Sequence, residues 1–295
     1  MKPNGNSLVL LSGGQDSTTA LFWAKSQFAE VHALTIAYGQ RHACELQAAA
    51  KVAEMAGVAS HEVLDLGGEV LKSTSPLTNP NQEVAEYASV AALPGGTEAT
   101  FVPGRNALFM VIAANRAMVL GTHNIVLGVG QEDYGGYPDC RDKFVASMAS
   151  GLSLGFYGHT GELAIHTPLM YASKKDTVVL ARTLDGAWDA LAYSHTCYHG
   201  QYPPNPRNHA SLLRAKGFAE AQMPDPLILR AKKEGLLPTD WPDTGLIEGT
   251  PYADAKAPFD KLPGARYLGE DDSPPPAQEA AGGKKPGKRG KREEE

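Results

Sequence analysis

A short apolar segment, residues 7–11, runs without a break into Ser12-Gly13-Gly14-Gln15-Asp16-Ser17, and a helical pattern follows over residues 16–27. This succession constrains the fold more than any other part of the chain. The apolar run fills one buried strand and no more. Two adjacent glycines permit positive φ and let the backbone come close to a ligand. Successive N–H groups at the helix start then aim at one point, where the helix dipole favours negative charge. Ser12 and Ser17 add hydroxyl donors, and Leu11, Thr18 and Thr19 flank the same turn. Asp16 repels a bare phosphate, so its expected partner is Mg²⁺ bridging phosphate oxygens. A bare Gly-Gly would read as a simple turn, but the whole hexapeptide in strand–loop–helix context points to a bound nucleotide.

The rhythm continues beyond this unit. Residues 31–37 and 60–66 read as strands, and residues 41–56 as a long alanine-rich helix ended by Gly57. Helices are expected over residues 106–120, 141–156 and 174–184, with strands over residues 124–130 and 164–166. Alternation of this kind predicts an α/β fold with a doubly wound parallel sheet. Residues 67–99, rich in Pro, Gly, Asn and Thr, interrupt it; they are either a lid over a substrate or an insertion without a role. A nucleotide-binding domain is expected over residues 1–190, and a helical and irregular extension over residues 191–264, becoming helical near Ala210. Residues 265–295 carry too little apolar surface to fold and are expected to be a disordered tail.

Composition narrows the partners. The 295 residues carry a net charge of −6, which disfavours general nucleic-acid binding. The basic run over residues 284–292 reads as a solvated tail rather than a nucleic-acid arm. Three cysteines far apart, Cys44, Cys140 and Cys197, argue against a disulfide framework. The polar N-terminus and the short apolar run after it fit neither a signal peptide nor a membrane span. A cytoplasmic location without a membrane partner is the expectation.

The Walker pattern would place Lys after the second glycine. The loop here instead resembles the PP-loop, Ser-Gly-Gly-x-Asp-Ser, of ATP pyrophosphatases with the adenine nucleotide α-hydrolase-like fold. Further segments narrow the resemblance: Tyr38-Gly39-Gln40-Arg41-His42, Phe101-Val102-Pro103-Gly104-Arg105-Asn106, Tyr134-Gly135-Gly136-Tyr137-Pro138-Asp139-Cys140-Arg141, His166-Thr167-Pro168-Leu169, and Ser173-Lys174. Together, over residues 8–218, they resemble the 7-cyano-7-deazaguanine synthases. That resemblance implies an ATP-dependent ligase that turns 7-carboxy-7-deazaguanine and ammonia into the nitrile through adenylated intermediates. ATP and Mg²⁺ are the implied cofactors, and a homodimer the implied state.

The residues suit such chemistry. Two anionic reactants need cations, and Arg41, Arg105, Arg141 and Lys174 are available. Arg105 opens a helix, where a cation opposes the dipole, so a purely structural role is less natural. Tyr38, Gln40 and Arg41 follow one strand end, and Tyr134, Tyr137 and Asp139 another, where open α/β sheets bind ligands. Aromatic rings suit stacking on a purine, and Asp139 suits its N–H edge. Asp16, Arg105 and Lys174 are the expected catalytic set, although Lys174 also reads as a solvated helix lysine.

One feature departs from the family pattern, which implies a four-cysteine zinc site before an Arg-x-Lys-Gly-Phe segment. That segment is present as Arg214-Ala215-Lys216-Gly217-Phe218, and Cys197 matches the first ligand. Asn205, Asn208 and Ser211 occupy the other positions, and none is a zinc ligand of consequence. A metal-free, hydrogen-bonded arrangement is favoured over a rearranged site drawing on His195, His199 or His209. Two other readings stand beside the synthase: an adenylating enzyme that passes its acyl group to a different amine, a protein included, and a non-catalytic nucleotide-binding protein.

Overall fold

The computed structural model describes residues 5–40, 44–79, 81–131, 136–159, 161–253 and 266–267. The core is a five-stranded sheet of β1 (Asn6–Leu10), β2 (Glu30–Ala37), β3 (Ser60–Asp65), β4 (Asn124–Val126) and β5 (Ala164–His166). The strand order is β3-β2-β1-β4-β5, and every neighbouring pair is parallel.

Strand alternation sends side chains to two faces. In β2, Val31 and Ala33 join one core, while Leu34 and Ile36 join the other. Val9 and Leu8 of β1 divide in the same way, as do Val126 and Ile125 of β4. The first face is covered by α1 (Gln15–Gln27), α2 (Cys44–Ala56), α5 (Lys174–Thr183) and α6 (Ala187–Leu191). Phe218 of α7 (His209–Glu220) completes it. The second face is covered by α3 (Arg105–Val119) and α4 (Asp142–Tyr157). Helices on both faces explain why β1 and β2 are largely buried on both sides. The expected doubly wound α/β fold is the one observed.

Strand order places the site. From β1 the chain moves outward to β2 and β3, then crosses back through α3 to β4 on the other side of β1. The crevice at the carboxyl ends of β1 and β4 is therefore a topological switch point. The glycine loop after β1 opens into it.

Several boundaries differ from expectation. The strand expected over residues 124–130 ends at Val126, although Leu127 N still donates to His166 O at 2.9 Å and Gln131 N to Met170 O at 2.8 Å. Two helices were not anticipated, α6 and α8 (Pro226–Lys233). In the extension, Tyr202, Leu227, Ile228, Trp241 and Ile247 form a small separate core. Two residues of the expected tail, Arg266 and Tyr267, form β7 (Arg266–Tyr267), antiparallel to β6 (Gln201–Tyr202). The rest of that tail lies outside the described residues. No described helix is long and apolar enough to cross a membrane.

Candidate active site

The glycine loop is shaped by contacts that admit no side chain. Gly13 has φ +84°, and a Cβ there would lie 2.5 Å from Glu45 O and 2.6 Å from Ala49 N of α2. A Cβ on Gly128, just past β4, would lie 2.8 Å from both Asp16 C and Ser17 N. The loop is thus clamped between α2 and the end of β4. Within it, Ser12 N donates to Ser17 Oγ at 3.2 Å, and Ser17 Oγ donates to Gly14 O at 3.2 Å. Gly14 is the N-cap of α1 and offers no side chain to the first turn, whose N–H groups suit an anion.

Across the loop stands Lys174, the first residue of α5. Ser173 and Asp176 form a reciprocal capping box that sets this helix start. Lys174 Nζ donates to Asp16 Oδ2 at 2.7 Å, joining residues 158 positions apart. Gly217 allows α7 to press on the same point, since a Cβ there would lie 2.9 Å from Lys174 Cβ.

These groups line one end of a cavity of about 310 Å³, with Leu11, Ser12, Gly14, Gln15 and Ser17 beside them. The other end is aromatic and charged, lined by Tyr38, Glu45, Arg105, Phe109, Tyr137 and Tyr198. Arg105 Nη1 donates to Tyr38 Oη at 3.1 Å. Burial pushes the Tyr137 phenol up to about 12, and raises Tyr38 and Tyr198 as well, so these rings stay neutral at physiological pH. Tyr137 is held by Thr100, with 2.5 Å between hydroxyls, and by Glu98 at 3.5 Å. Glu98 and Thr100 belong to the far end of the long 67–99 segment and its junction with α3. The same segment contributes Leu77 to the wall.

Most expected site residues therefore converge. Gln40 and Asn106 also line the cavity. Gly13, Thr18 and Thr19 lie behind it, with both threonines fully buried and Thr19 Oγ1 donating to Gln15 O at 3.0 Å. Asp139 and Arg141 do not line it. Asp139 accepts Asn106 N at 3.4 Å, at the start of α3, and Arg141 Nη1 donates to Gln131 O at 2.8 Å. Arg41 and Tyr134 lie outside the described residues. The residues not anticipated are Glu45, Phe109 and Tyr198. Glu45 sits only a few positions past the Tyr38-Gly39-Gln40 turn, within the stretch expected as an alanine-rich helix, and that proximity is the signal the sequence offers.

The segment that carries Cys197 is built around hydrogen bonds. Cys197 Sγ accepts from Asn208 Nδ2 at 3.1 Å and from Asn205 N at 3.3 Å, and Ser211 lies beside the same sulfur. The side chain of Asn208 also accepts Ser211 N at 2.8 Å, capping α7. One thiol with two amides and a hydroxyl does not fit zinc. His195 Nε2 donates to Gln201 O at 2.8 Å, which leaves Nδ1 to accept from Cys197 N at 3.3 Å. His195 N in turn donates to Gly13 O at 2.8 Å, tying this segment to the glycine loop.

Comparison with known proteins gives the family. The family model described as "Queuosine biosynthesis protein QueC" matches residues 6–222. A 7-cyano-7-deazaguanine synthase from Gloeobacter violaceus is 49% identical over 223 residues, covering 75% of this chain and 94% of that protein. The synthase of the same name from Laribacter hongkongensis is 48% identical, covering 76% and 95%. That of Bacteroides fragilis is 42% identical, covering 74% and 96%. With the match spanning the sheet, the glycine loop, Lys174 and the Cys197 segment, the chain belongs to the queuosine biosynthesis protein QueC family.

Proposed function

We propose that this protein converts 7-carboxy-7-deazaguanine and ammonia to 7-cyano-7-deazaguanine at the expense of ATP, and does so without structural zinc. The observation that carries the proposal is a single cavity joining an anion-binding loop, with Asp16 and Lys174, to an aromatic end with Arg105. One end suits a triphosphate and the other a flat carboxylate-bearing heterocycle.

The chemistry follows from that arrangement. A carboxylate oxygen attacks the α-phosphorus of ATP, and pyrophosphate leaves. Ammonia then attacks the acyl carbon and displaces AMP, giving the amide. The amide oxygen attacks the α-phosphorus of a second ATP, again releasing pyrophosphate. Loss of AMP and a proton from the adenylated amide gives the nitrile. Lys174 opposes the negative charge that gathers on the α-phosphate during each attack, and the loop N–H groups hold the departing phosphates. Arg105, fixed by Tyr38, helps hold the heterocycle at that end of the cavity. The Asp16 carboxylate, at the loop and in the cavity, fits Mg²⁺ arriving with phosphate oxygens, as this ion is ordinarily held by one or two carboxylates plus substrate. That ion, when bound, neutralises phosphate charge.

The test is mass spectrometry of products from ATP, Mg²⁺, ammonium and 7-carboxy-7-deazaguanine, with metal content measured on the same protein. Nitrile and AMP without stoichiometric zinc is the expected result. AMP with amide or another conjugate would replace the nitrile by a different acceptor, and no AMP would overturn the proposal.

A further inference from the structure

We infer that Glu45 reads the heterocycle's donor edge, its carboxylate accepting the ring N–H and the 2-amino group of a guanine-like base. The inference rests on the function proposed above and adds the residue that selects the base.

Glu45 stands in the first turn of α2, with its backbone oxygen against Gly13 and its side chain in the cavity wall. Its carboxylate takes part in no hydrogen bond or salt bridge among the described residues. Asp16 and Arg105, which share the cavity, have partners in Lys174 and Tyr38. A half-buried carboxylate in a cavity wall without donors is costly, and a ligand that covers it with two parallel N–H groups removes that cost. A 2-amino-6-oxo ring presents such a pair, spaced to match the two oxygens of one carboxylate. An adenine ring presents a bare ring nitrogen on the corresponding edge, which a carboxylate repels. Selection of this kind matters in a cavity that must also receive ATP, whose own base is adenine.

Electrostatics support the geometry. Burial pushes the Glu45 carboxyl up to about 7, and the Arg105 charge opposes the rise. Its other titratable neighbours, Tyr38, Tyr198 and Cys44, are all raised by burial and remain neutral near pH 7. Donors from the ligand would draw the Glu45 proton off, so binding should release a proton.

The experiment compares the full chain with Glu45→Gln, using 7-carboxy-7-deazaguanine and the analogue lacking the 2-amino group. Dissociation constants are measured by calorimetry and turnover by AMP release. The parent should prefer the amino compound by about 10- to 100-fold, the worth of one hydrogen bond to a charged group. Glu45→Gln should reduce that preference to about threefold or less, mainly through KM, with unchanged or higher melting temperature. A parent without the preference overturns the inference whatever the variant does. So does a variant that keeps the preference, or one that loses kcat equally on both compounds with KM intact, the mark of a base in the reaction. A parent that releases AMP but fails these tests leaves the proposed function standing. A parent that neither binds nor consumes the carboxylate overturns both.

Discussion

The Asp16–Lys174 pair is where side-chain chemistry and chain folding meet. Both side chains keep partial access to the cavity, at 28% and 16% exposure, so their attraction is partly screened. Lys174→Ala should therefore change folding by at most about 1 kcal/mol. Its effect on catalysis should be far larger, a loss of about 10²- to 10³-fold in kcat. Thermal melting and single-turnover AMP release on one preparation separate the two. Glu45 gives a second prediction, with a defined sign. Its folded pKa of about 7 lies above the ordinary 4.5. Its contribution to stability is thus fully present below pH 4.5 and is lost as pH rises through 7. Glu45→Gln should raise the melting temperature at pH 8 and leave it nearly unchanged at pH 4. An equal shift at both values would show that the charge is not the cause.

At the scale of elements, close helix packing positions the reactive groups. Gly217 lies in the middle of α7, where helix propensity alone would make Ala better by about 0.5–1 kcal/mol. The Cβ would meet Lys174 Cβ and O at 2.9 Å, and overpacking costs about 1–3 kcal/mol. The steric effect wins, so Gly217→Ala should destabilise the fold and, by moving the start of α5, lower activity further than the stability loss explains. Urea unfolding and kcat/KM at a temperature where the variant stays folded test this. Elements also show what reading a sequence misses. The start of α8 is written plainly as Asp225-Pro226, an N-cap followed by proline in the first turn. The residues after it carry only a short apolar stripe, so periodicity predicts no helix there. By contrast the start of α7 fell within a residue or so of expectation, since Asn208 is a strong cap.

Across the whole molecule, the C-terminal extension holds the glycine loop from behind. Arg214 is buried and makes a two-pronged ion pair with Asp225, at 2.6 and 2.8 Å. It also donates to Ser194 Oγ at 2.8 Å and to Thr196 Oγ1 at 3.1 Å, on either side of the His195 that donates to Gly13 O. Arg214→Ala would strand a buried carboxylate and should cost about 3–5 kcal/mol, measurable by denaturant unfolding. Replacing both members by apolar residues should recover much of that loss. The long 67–99 segment is bound to the same extension, with Tyr87 N donating to Arg207 O at 2.8 Å and Asn205 Nδ2 to Glu86 Oε1 at 2.6 Å.

Local physics was written in the sequence. Glycines at 13 and 14 after an apolar run dictate a turn that aims amides at an anion, and alternating apolar segments dictate a sheet covered on both faces. At the positions where the family pattern implies three further cysteines, the sequence likewise carries Asn205, Asn208 and Ser211, which are weak zinc ligands. What the sequence left open was set by convergence. Asp139, polar and in a loop after a strand, looked as suited to a base as any residue, yet its carboxylate faces the start of α3. Glu45 is one of many residues in an expected alanine-rich helix, and it lines the cavity because Gly13 lets α2 lie against the loop. Only the tertiary structure decided these placements, because the direction of a side chain depends on which distant segments pack against its own element.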